Sequence, residues 1–169
     1  MNECKPSEIN WAKAAVFAGG DRGHCRTDFD CFVGVDRGSL WILEEELALA
    51  LAVGDFDSVT VEERQLIQRR AQHFVQAQPE KDDTDLELAL LTIFEKNSQD
   101  QVTIFGALGG RIDHMLANVF LPSNPKLAPY MRQIEIEDGQ NLIRYCPEGT
   151  SQLEPRSDYD YLAFMPVRD

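Results

Sequence analysis

Short, uninterrupted apolar runs constrain the fold of this chain more than any other feature of its sequence. They recur along its first two-thirds, at residues 14–18, 31–35, 49–53, 73–77 and 102–105. These runs are continuous in hydrophobicity rather than alternating, which is typical of strands buried on both faces. They therefore predict a sheet that is covered by other structure on both sides.

Helical patterns separate several of these runs. Thr60 and Glu63 form one capping box and Thr84 and Glu87 form another, which predicts helices from these boxes to about residues 72 and 96. Apolar positions in the second helix follow the spacing i, i+3, i+4, i+7 and i+8, which favours packing on a sheet. Strands that alternate with helices predict the α/β class: a mostly parallel, Rossmann-like sheet whose ligand site lies beyond the carboxyl ends of its strands.

The pattern changes after Leu121. Prolines at positions 122, 125 and 129 interrupt the helix, and residues 133–137 then alternate, turn at Asp138-Gly139 and resume at 141–146, which predicts a β-hairpin. Residues 159–165 predict a further strand. We therefore expect an α/β domain over residues 1–125 and a smaller β-sandwich domain over 126–169, which has too few strands to be complete.

Acidic residues follow two of the predicted strands. Asp55 and Asp57 come directly after the run that ends at Val53, and Asp82 and Asp85 lie at the start of the next helix along the chain. In an extended loop alternate side chains point the same way, so we expect these carboxylates to converge. Hard oxygen donors without His or Cys favour Mg²⁺, which in turn indicates a phosphate substrate.

Each acidic cluster also has a purely structural interpretation. The residues after Val53 could be a solvated turn. Asp83 and Asp85 could be no more than favourable charges at a helix N-terminus. Lys81 could contact a phosphate oxygen or form a surface ion pair. Two clusters at neighbouring strand ends favour a metal and phosphate site over these alternatives.

Glycines mark two more strand ends. Gly109 and Gly110 open a turn whose backbone N–H groups suit an anion, and Arg111, His114 and Asn118 then share one helical face. We expect the apolar residues of this helix to serve the core; they are Ile112, Met115, Leu116 and Val119. The turn is not a Walker loop, and a tight loop before a helix with a polar exposed side is the alternative.

A further strand end carries Asp36 and Gly38. Gly38 allows the close approach of a ligand, and Asp36 could accept a hydrogen bond from a ribose hydroxyl. Ser39 as a helix N-cap is the structural alternative.

Composition excludes several classes of protein. With 16 basic and 29 acidic side chains the formal charge is −13, which argues against a nucleic-acid-binding surface. No apolar window approaches the ~20 residues of a membrane span, and no signal peptide is evident, so we expect a cytoplasmic protein without membrane contact. The four cysteines form no CxxC pair and are expected to be free thiols, and His24, Cys25 and Cys31 lack the spacing of a zinc site.

Four segments together carry a resemblance to a known family. Taken in order, they are GVDRGSL, LAVGDFDSV, EKDDTDLELAL and FGALGGRIDHMLAN. Over roughly residues 14 to 121 the chain resembles the bacterial thiamine pyrophosphokinases. The resemblance lies in the order of the four segments, in their spacing and in the strands and helices around them. The resemblance implies a nucleotide-binding α/β domain, a following β-sandwich domain, and a homodimer with thiamine at the subunit interface. It also implies transfer of diphosphate from ATP to thiamine, with release of AMP.

The resemblance also implies roles for individual residues. Asp55, Asp57 and Asp85 would hold Mg²⁺ and the phosphates, with support from Asp82 or Asp83. Arg111 and Asp113 would line the substrate side, and Asp113 or Asp82 is the candidate general base. The nucleotide and its phosphates would contact a larger set of residues: Asp36, Gly38, Lys81, Thr84, Gly109, Gly110, His114 and Asn118.

Three other functions remain open from the sequence. Asp55 and Asp57 could be the nucleophile and acid of a haloacid-dehalogenase-like phosphatase, although that motif normally follows the first strand of its fold. If the β domain is incomplete, the chain could be a domain that binds nucleotide and metal but does not catalyse a reaction. The last alternative is an acidic interaction domain whose carboxylates are only surface charge.

Overall fold

The computed structural model describes residues 9–21, 23, 25–77, 83–96, 98, 100–154 and 156–166. Within these residues, seven strands form one sheet in the order β4-β3-β2-β1-β5-β6-β7. The strands are β1 (Lys13–Phe17), β2 (Cys31–Val35), β3 (Leu49–Gly54), β4 (His73–Gln76), β5 (Gln101–Phe105), β6 (Ile134–Glu137) and β7 (Leu142–Arg144). The helices are α1 (Gly38–Glu44), α2 (Val61–Arg70), α3 (Asp85–Lys96) and α4 (Ile112–Phe120), with short 3₁₀ turns at Leu121–Ser123 and Ala128–Gln133.

The sheet is parallel except at one edge, as the continuous apolar runs predict. All neighbouring strands from β4 to β6 pair in parallel, and only β6 and β7 pair antiparallel. The strand order reverses between β1 and β5, and in open α/β sheets ligands bind beyond the carboxyl ends of the strands at such a reversal. The fold therefore places the acidic and glycine-rich loops along one edge, as expected.

Alternate residues of each central strand face two separate cores. In β1, Val16 packs with the buried stripe of α3, whereas Ala15 and Phe17 pack with the buried residues of α1 and α2. All three of these β1 residues are nearly inaccessible to solvent. Burial on both faces explains why the strand sequences are apolar throughout.

The hairpin of β6 and β7 extends the main sheet. β6 pairs in parallel with β5, with Ile134 opposite Val102, so the sheet continues past residue 125. The described part of the segment after Arg144 contains no strand, so the strand expected at residues 159–165 is wrong. Exposure explains this difference: Tyr161, Leu162, Phe164 and Met165 face solvent, and no neighbouring strand pairs with them in the described chain. The division into two domains stays a prediction.

Helix α4 departs from the expected packing. None of its residues is buried, and Ile112 and Leu116 are 70% and 45% exposed. The expectation that its apolar side chains serve the core is therefore wrong for the described chain. An amphipathic pattern predicts that the apolar face of a helix packs against another surface, but it does not identify that surface.

Among the described residues, no helix combines the length and apolar character that crossing a bilayer requires.

Candidate functional site

Three aspartates from separate segments meet at the carboxyl edge of the sheet. Asp36 follows β2, Asp55 follows β3, and Asp85 is the first residue of α3. One carboxylate oxygen from each lies within 4.8 Å of the others, and all three residues are half-buried. We call Asp36, Asp55 and Asp85 the acidic triad.

The backbone around Asp36 holds its carboxylate in place. Asp36 adopts a left-handed conformation with φ 47°, and its N–H donates to the carbonyl of Val53 at 2.9 Å. Its Oδ1 accepts a hydrogen bond from the N–H of Phe56 at 3.1 Å. A Cβ at Gly54 would lie 1.9 Å from that Oδ1, so the close contact between the two loops requires glycine there.

The loop after β3 separates Asp57 from the triad. Phe56 turns inward as expected, is 3% exposed and stacks on Phe74 at 4.8 Å between ring centroids. However, Phe56 has φ 59°, so the loop is not extended and the rule of alternating side chains does not apply. Asp57 is exposed, and its N–H donates to Oδ1 of Asp55 at 3.0 Å. The structure thus groups Asp36 with Asp55 and Asp85. Asp57 is a neighbour of this group but not a member of it.

The electrostatics of the triad suit a cation. Burial raises the pKa of the Asp36 carboxyl to about 6, and repulsion by Asp85, Asp55 and Asp57 adds to the rise. The N–H of Phe56 opposes the rise, because it stabilises the charged form. The triad offers carboxylate oxygens alone, which is the donor chemistry that hard divalent cations prefer. The residues present therefore fit a divalent metal ion.

The start of α3 places the third member of the triad. Thr84 caps the helix, since its Oγ1 accepts a hydrogen bond from the N–H of Glu87 at 3.1 Å. Asp85 follows directly and is thus fixed at the first helical position. Lys81 and Asp82 lie outside the described residues.

The glycine-rich turn after β5 is open to solvent. Gly109 and Gly110 are exposed with φ of 80° and 68°, and no atom lies within 4 Å of a Cβ built on either. Asn118 fixes the turn from α4, because its Nδ2 donates to the carbonyl of Ala107 at 3.0 Å. Asn118 therefore supports the backbone of the turn while Gly109 and Gly110 leave it accessible.

Arg111 and Asp113 face each other at the start of α4. The guanidinium donates to both carboxylate oxygens, at 3.1 and 2.5 Å, and both side chains are exposed. This pairing holds the pKa of the Asp113 carboxyl below its usual range. Asp113 is therefore ionised and paired with a cation, and the neighbouring His114 is exposed.

Gly38 is buried rather than open to a ligand. A Cβ there would lie 1.9 Å from the carbonyl oxygen of Phe17, so the close approach is that of strand β1. A similar contact joins the loops after β1 and β5, where the N–H of Gly20 donates to the carbonyl of Gly106 at 3.0 Å. These contacts hold the loops together at the reversal of strand order.

Sequence reasoning missed a buried polar group next to the triad. The Glu87 side chain is 5% exposed, and its carboxylate accepts from Nδ2 of Asn124 at 3.0 Å. The sequence assigned Glu87 only to a capping box, and Asn124 lies in a proline-rich segment without a recognisable motif. No local signal could have paired two residues this far apart in the chain.

Comparison with known proteins identifies the same region. Residues 24–133 match the family described as thiamin pyrophosphokinase, catalytic domain. A thiamine pyrophosphokinase from Bacillus subtilis (strain 168) is 38% identical over 82% of this chain. This chain spans 63% of the length of that relative.

Solved structures share the fold as well. A thiamin pyrophosphokinase family protein from Enterococcus faecalis is 45% identical with a TM-score of 0.76, over 81% of this chain and 66% of its own. The crystal structure of thiamine pyrophosphokinase from Bacillus subtilis gives 35% identity and a TM-score of 0.62, over 78% and 63% of the two chains. Both structures extend beyond the part that this chain matches.

Proposed function

Because the chain belongs to the thiamin pyrophosphokinase catalytic-domain family, we propose that it transfers diphosphate from ATP to thiamine, yielding thiamine diphosphate and AMP. The observation that carries the proposal is the acidic triad, whose oxygens converge within 4.8 Å at the carboxyl edge of the sheet. A carboxylate group of this kind is suited to hold a metal–nucleotide complex.

In the proposed reaction, the hydroxyethyl oxygen of thiamine forms a bond to the β-phosphorus of ATP. The bond from that phosphorus to the oxygen bridging the α- and β-phosphates breaks, its electron pair leaves with AMP, and the hydroxyl proton of thiamine is released to solvent. Catalysis of this type depends on positioning and on neutralising charge. We propose Mg²⁺ as the ion, held by Asp36, Asp55 and Asp85, where it would neutralise charge on the phosphates.

The other site residues take supporting roles in this proposal. Gly109 and Gly110 are exposed, and we expect their N–H groups to bind a phosphate beside the Arg111 cation. Asp113 orients Arg111 through its paired hydrogen bonds, and this pairing makes it a weak candidate for the general base. Roles for Asp57, Asp82, Lys81, Thr84, His114 and Gly38 stay predictions.

Product analysis tests this function. The full chain is incubated with ATP, Mg²⁺ and thiamine, and we expect AMP and thiamine diphosphate in equal amounts. ADP with thiamine monophosphate would instead show single-phosphoryl transfer, and free phosphate would show a phosphatase. Nucleotide binding without any product would identify a binding part that does not turn over.

A cytoplasmic location belongs to the same proposal. ATP is the cytoplasmic phosphoryl donor, and free thiols persist in a reducing compartment. Burial raises the pKa of the Cys31 thiol to about 12, so this thiol is unreactive at neutral pH.

We further propose that the chain forms a homodimer through α4. Ile112, Leu116 and Phe120 recur every four residues and are 70%, 45% and 42% exposed, so they form an uncovered apolar stripe. We expect Leu116→Glu to raise the dimer dissociation constant by about tenfold or more, because it places a charge within the contact. Light scattering after size-exclusion chromatography measures the change.

Val61→Glu is the matched control for the dimer. Val61 lies on α2, is 68% exposed and does not belong to the α4 stripe, so its substitution leaves the oligomeric state unchanged. A Leu116→Glu variant that elutes as the wild type does would contradict a dimer through α4.

A further inference from the structure

Two helices of this chain begin with the same sequence pattern but use it differently. At α2 the capping box closes in both directions, as the N–H of Thr60 donates to Glu63 at 2.7 Å and the N–H of Glu63 donates to Thr60 at 3.2 Å. At α3 the threonine again accepts from the glutamate N–H. The Glu87 carboxylate, however, accepts from Asn124 at 3.0 Å, across 37 residues of sequence. A residue suited to a local cap thus makes a long-range contact.

The loop that contains Asn124 holds the side-chain amide of this residue in a fixed position. The side-chain Oδ1 of Asn124 accepts from the N–H of Lys126 at 3.0 Å. The backbone carbonyl of Asn124 accepts from the N–H groups of Leu127 and Ala128 at 2.9 and 2.7 Å. Leu127 is fully buried and anchors the loop in the core. Nδ2 of Asn124 therefore points at Glu87 from a fixed backbone.

Charge adds to this contact. Nζ of Lys126 lies 3.8 Å from Oε1 of Glu87 and also donates to Asp83, just before the helix. Burying the Glu87 carboxylate is unfavourable, because burial raises its pKa and Asp83 repels it. At α2 the equivalent Glu63 is less buried, and its hydrogen bond with the N–H of Thr60 lowers the pKa of its carboxyl. We call Glu87, Asn124 and Lys126 the α3 latch.

We propose that the α3 latch positions Asp85 in the acidic triad, and that Glu87 and Asn124 are positioning residues for metal binding. Asp85 and Glu87 lie in the same first turn of α3, so the contact that fixes one fixes the other. The carboxylates of the triad repel one another until a cation binds, and this repulsion pushes the end of α3 away from the sheet edge. The latch opposes that movement. The inference rests on the proposed function, since it assumes that the triad holds a metal.

Metal affinity tests the latch independently of turnover. Mn²⁺ serves as the probe, and its dissociation constant is measured by electron paramagnetic resonance on the full chain without substrates. We expect Glu87→Ala and Asn124→Ala each to weaken Mn²⁺ binding by about tenfold, the lower end of what the loss of an outer-shell partner costs a metal site. The double variant binds Mn²⁺ no more weakly than Glu87→Ala alone, since that change already removes both the hydrogen bond to Asn124 and the contact with Lys126.

Two further variants separate positioning from general stability. Glu87→Gln keeps an oxygen acceptor for Asn124, so it restores most of the Mn²⁺ affinity that Glu87→Ala loses. Glu63→Ala removes the matching glutamate of α2, so it lowers the Tm but leaves Mn²⁺ affinity unchanged. A purely structural latch would produce neither difference.

The outcomes distinguish the two proposals. Wild-type binding no tighter than that of Asp55→Asn would contradict the metal function itself. Tight wild-type binding that Glu87→Ala and Asn124→Ala leave unchanged would overturn the latch alone. If Glu87→Ala fails to fold, Asn124→Ala decides the question, because it changes no residue of α3 itself.

Discussion

We expect Asp55→Asn to lower kcat/KM for the proposed transfer by about 10³-fold and to weaken Mg²⁺ binding strongly, the loss typical of removing one electrostatic stabiliser from a preorganised site. The side chain keeps its shape and its Oδ1, which still accepts from the N–H of Asp57. The loop is therefore preserved while one charge leaves the acidic triad. Steady-state kinetics with varied Mg²⁺ measure both effects.

Asp57→Asn and Asp30→Asn are the controls for this prediction. Asp57 is exposed and lies outside the triad, so its substitution has a smaller effect than that of Asp55. Asp30 precedes β2 at the opposite edge of the sheet, so its substitution has none. Equal losses in Asp55→Asn and Asp57→Asn would show that the two carboxylates converge on the metal, as an extended loop would place them.

The position of the site followed from the sequence because it depends on patterns that repeat along the chain. Continuous apolar runs predicted parallel strands, and in a parallel sheet all carboxyl ends lie at one edge. Asp55 and Asp85 were therefore expected near each other without knowledge of any contact. The same reasoning placed the glycine turn at 109–110 on this edge, where the structure has it.

The membership of the triad did not follow, because it depends on local backbone geometry. Asp36 and Phe56 both have positive φ, which is rare for residues other than glycine and leaves no mark in hydrophobic periodicity. With these two conformations Asp36 lies near Asp55, and Asp57 is exposed outside the triad. The sequence placed Asp36 with the nucleotide and Asp57 with the metal for this reason.

Tertiary contacts account for the other differences. Glu87 satisfies the capping pattern equally well whether its carboxylate reaches Thr84 or Asn124, and only the folded chain selects between them. The apolar pattern of α4 was recognised, but its partner surface is not encoded in the helix itself. Local patterns thus predicted elements and edges, whereas pairings between distant segments needed the structure.

Gly38→Ala should lower the free energy of unfolding by about 3 kcal/mol, at the upper end of what overpacking a core costs. Helix propensity alone predicts the opposite sign, since alanine is favoured over glycine within a helix by ~1 kcal/mol. The close contact outweighs propensity here, because a Cβ would lie 1.9 Å from the carbonyl oxygen of Phe17 and 2.6 Å from its carbon. These are backbone atoms of the central strand and cannot move aside as a side chain can. Urea denaturation measures the change.

Gly19→Ala is the matched control, because its Cβ would meet no atom closer than the Cβ of Arg37 at 4.0 Å. Its stability stays within ~0.5 kcal/mol of the wild type. The pair also decides why position 38 is glycine. If glycine were needed there for a ligand to approach, Gly38→Ala would keep the stability of the wild type and lose nucleotide affinity. If glycine is needed there for the packing of α1 on β1, Gly38→Ala lowers the stability. Any loss of nucleotide affinity then follows from a shift of α1 and of the loop that carries Asp36.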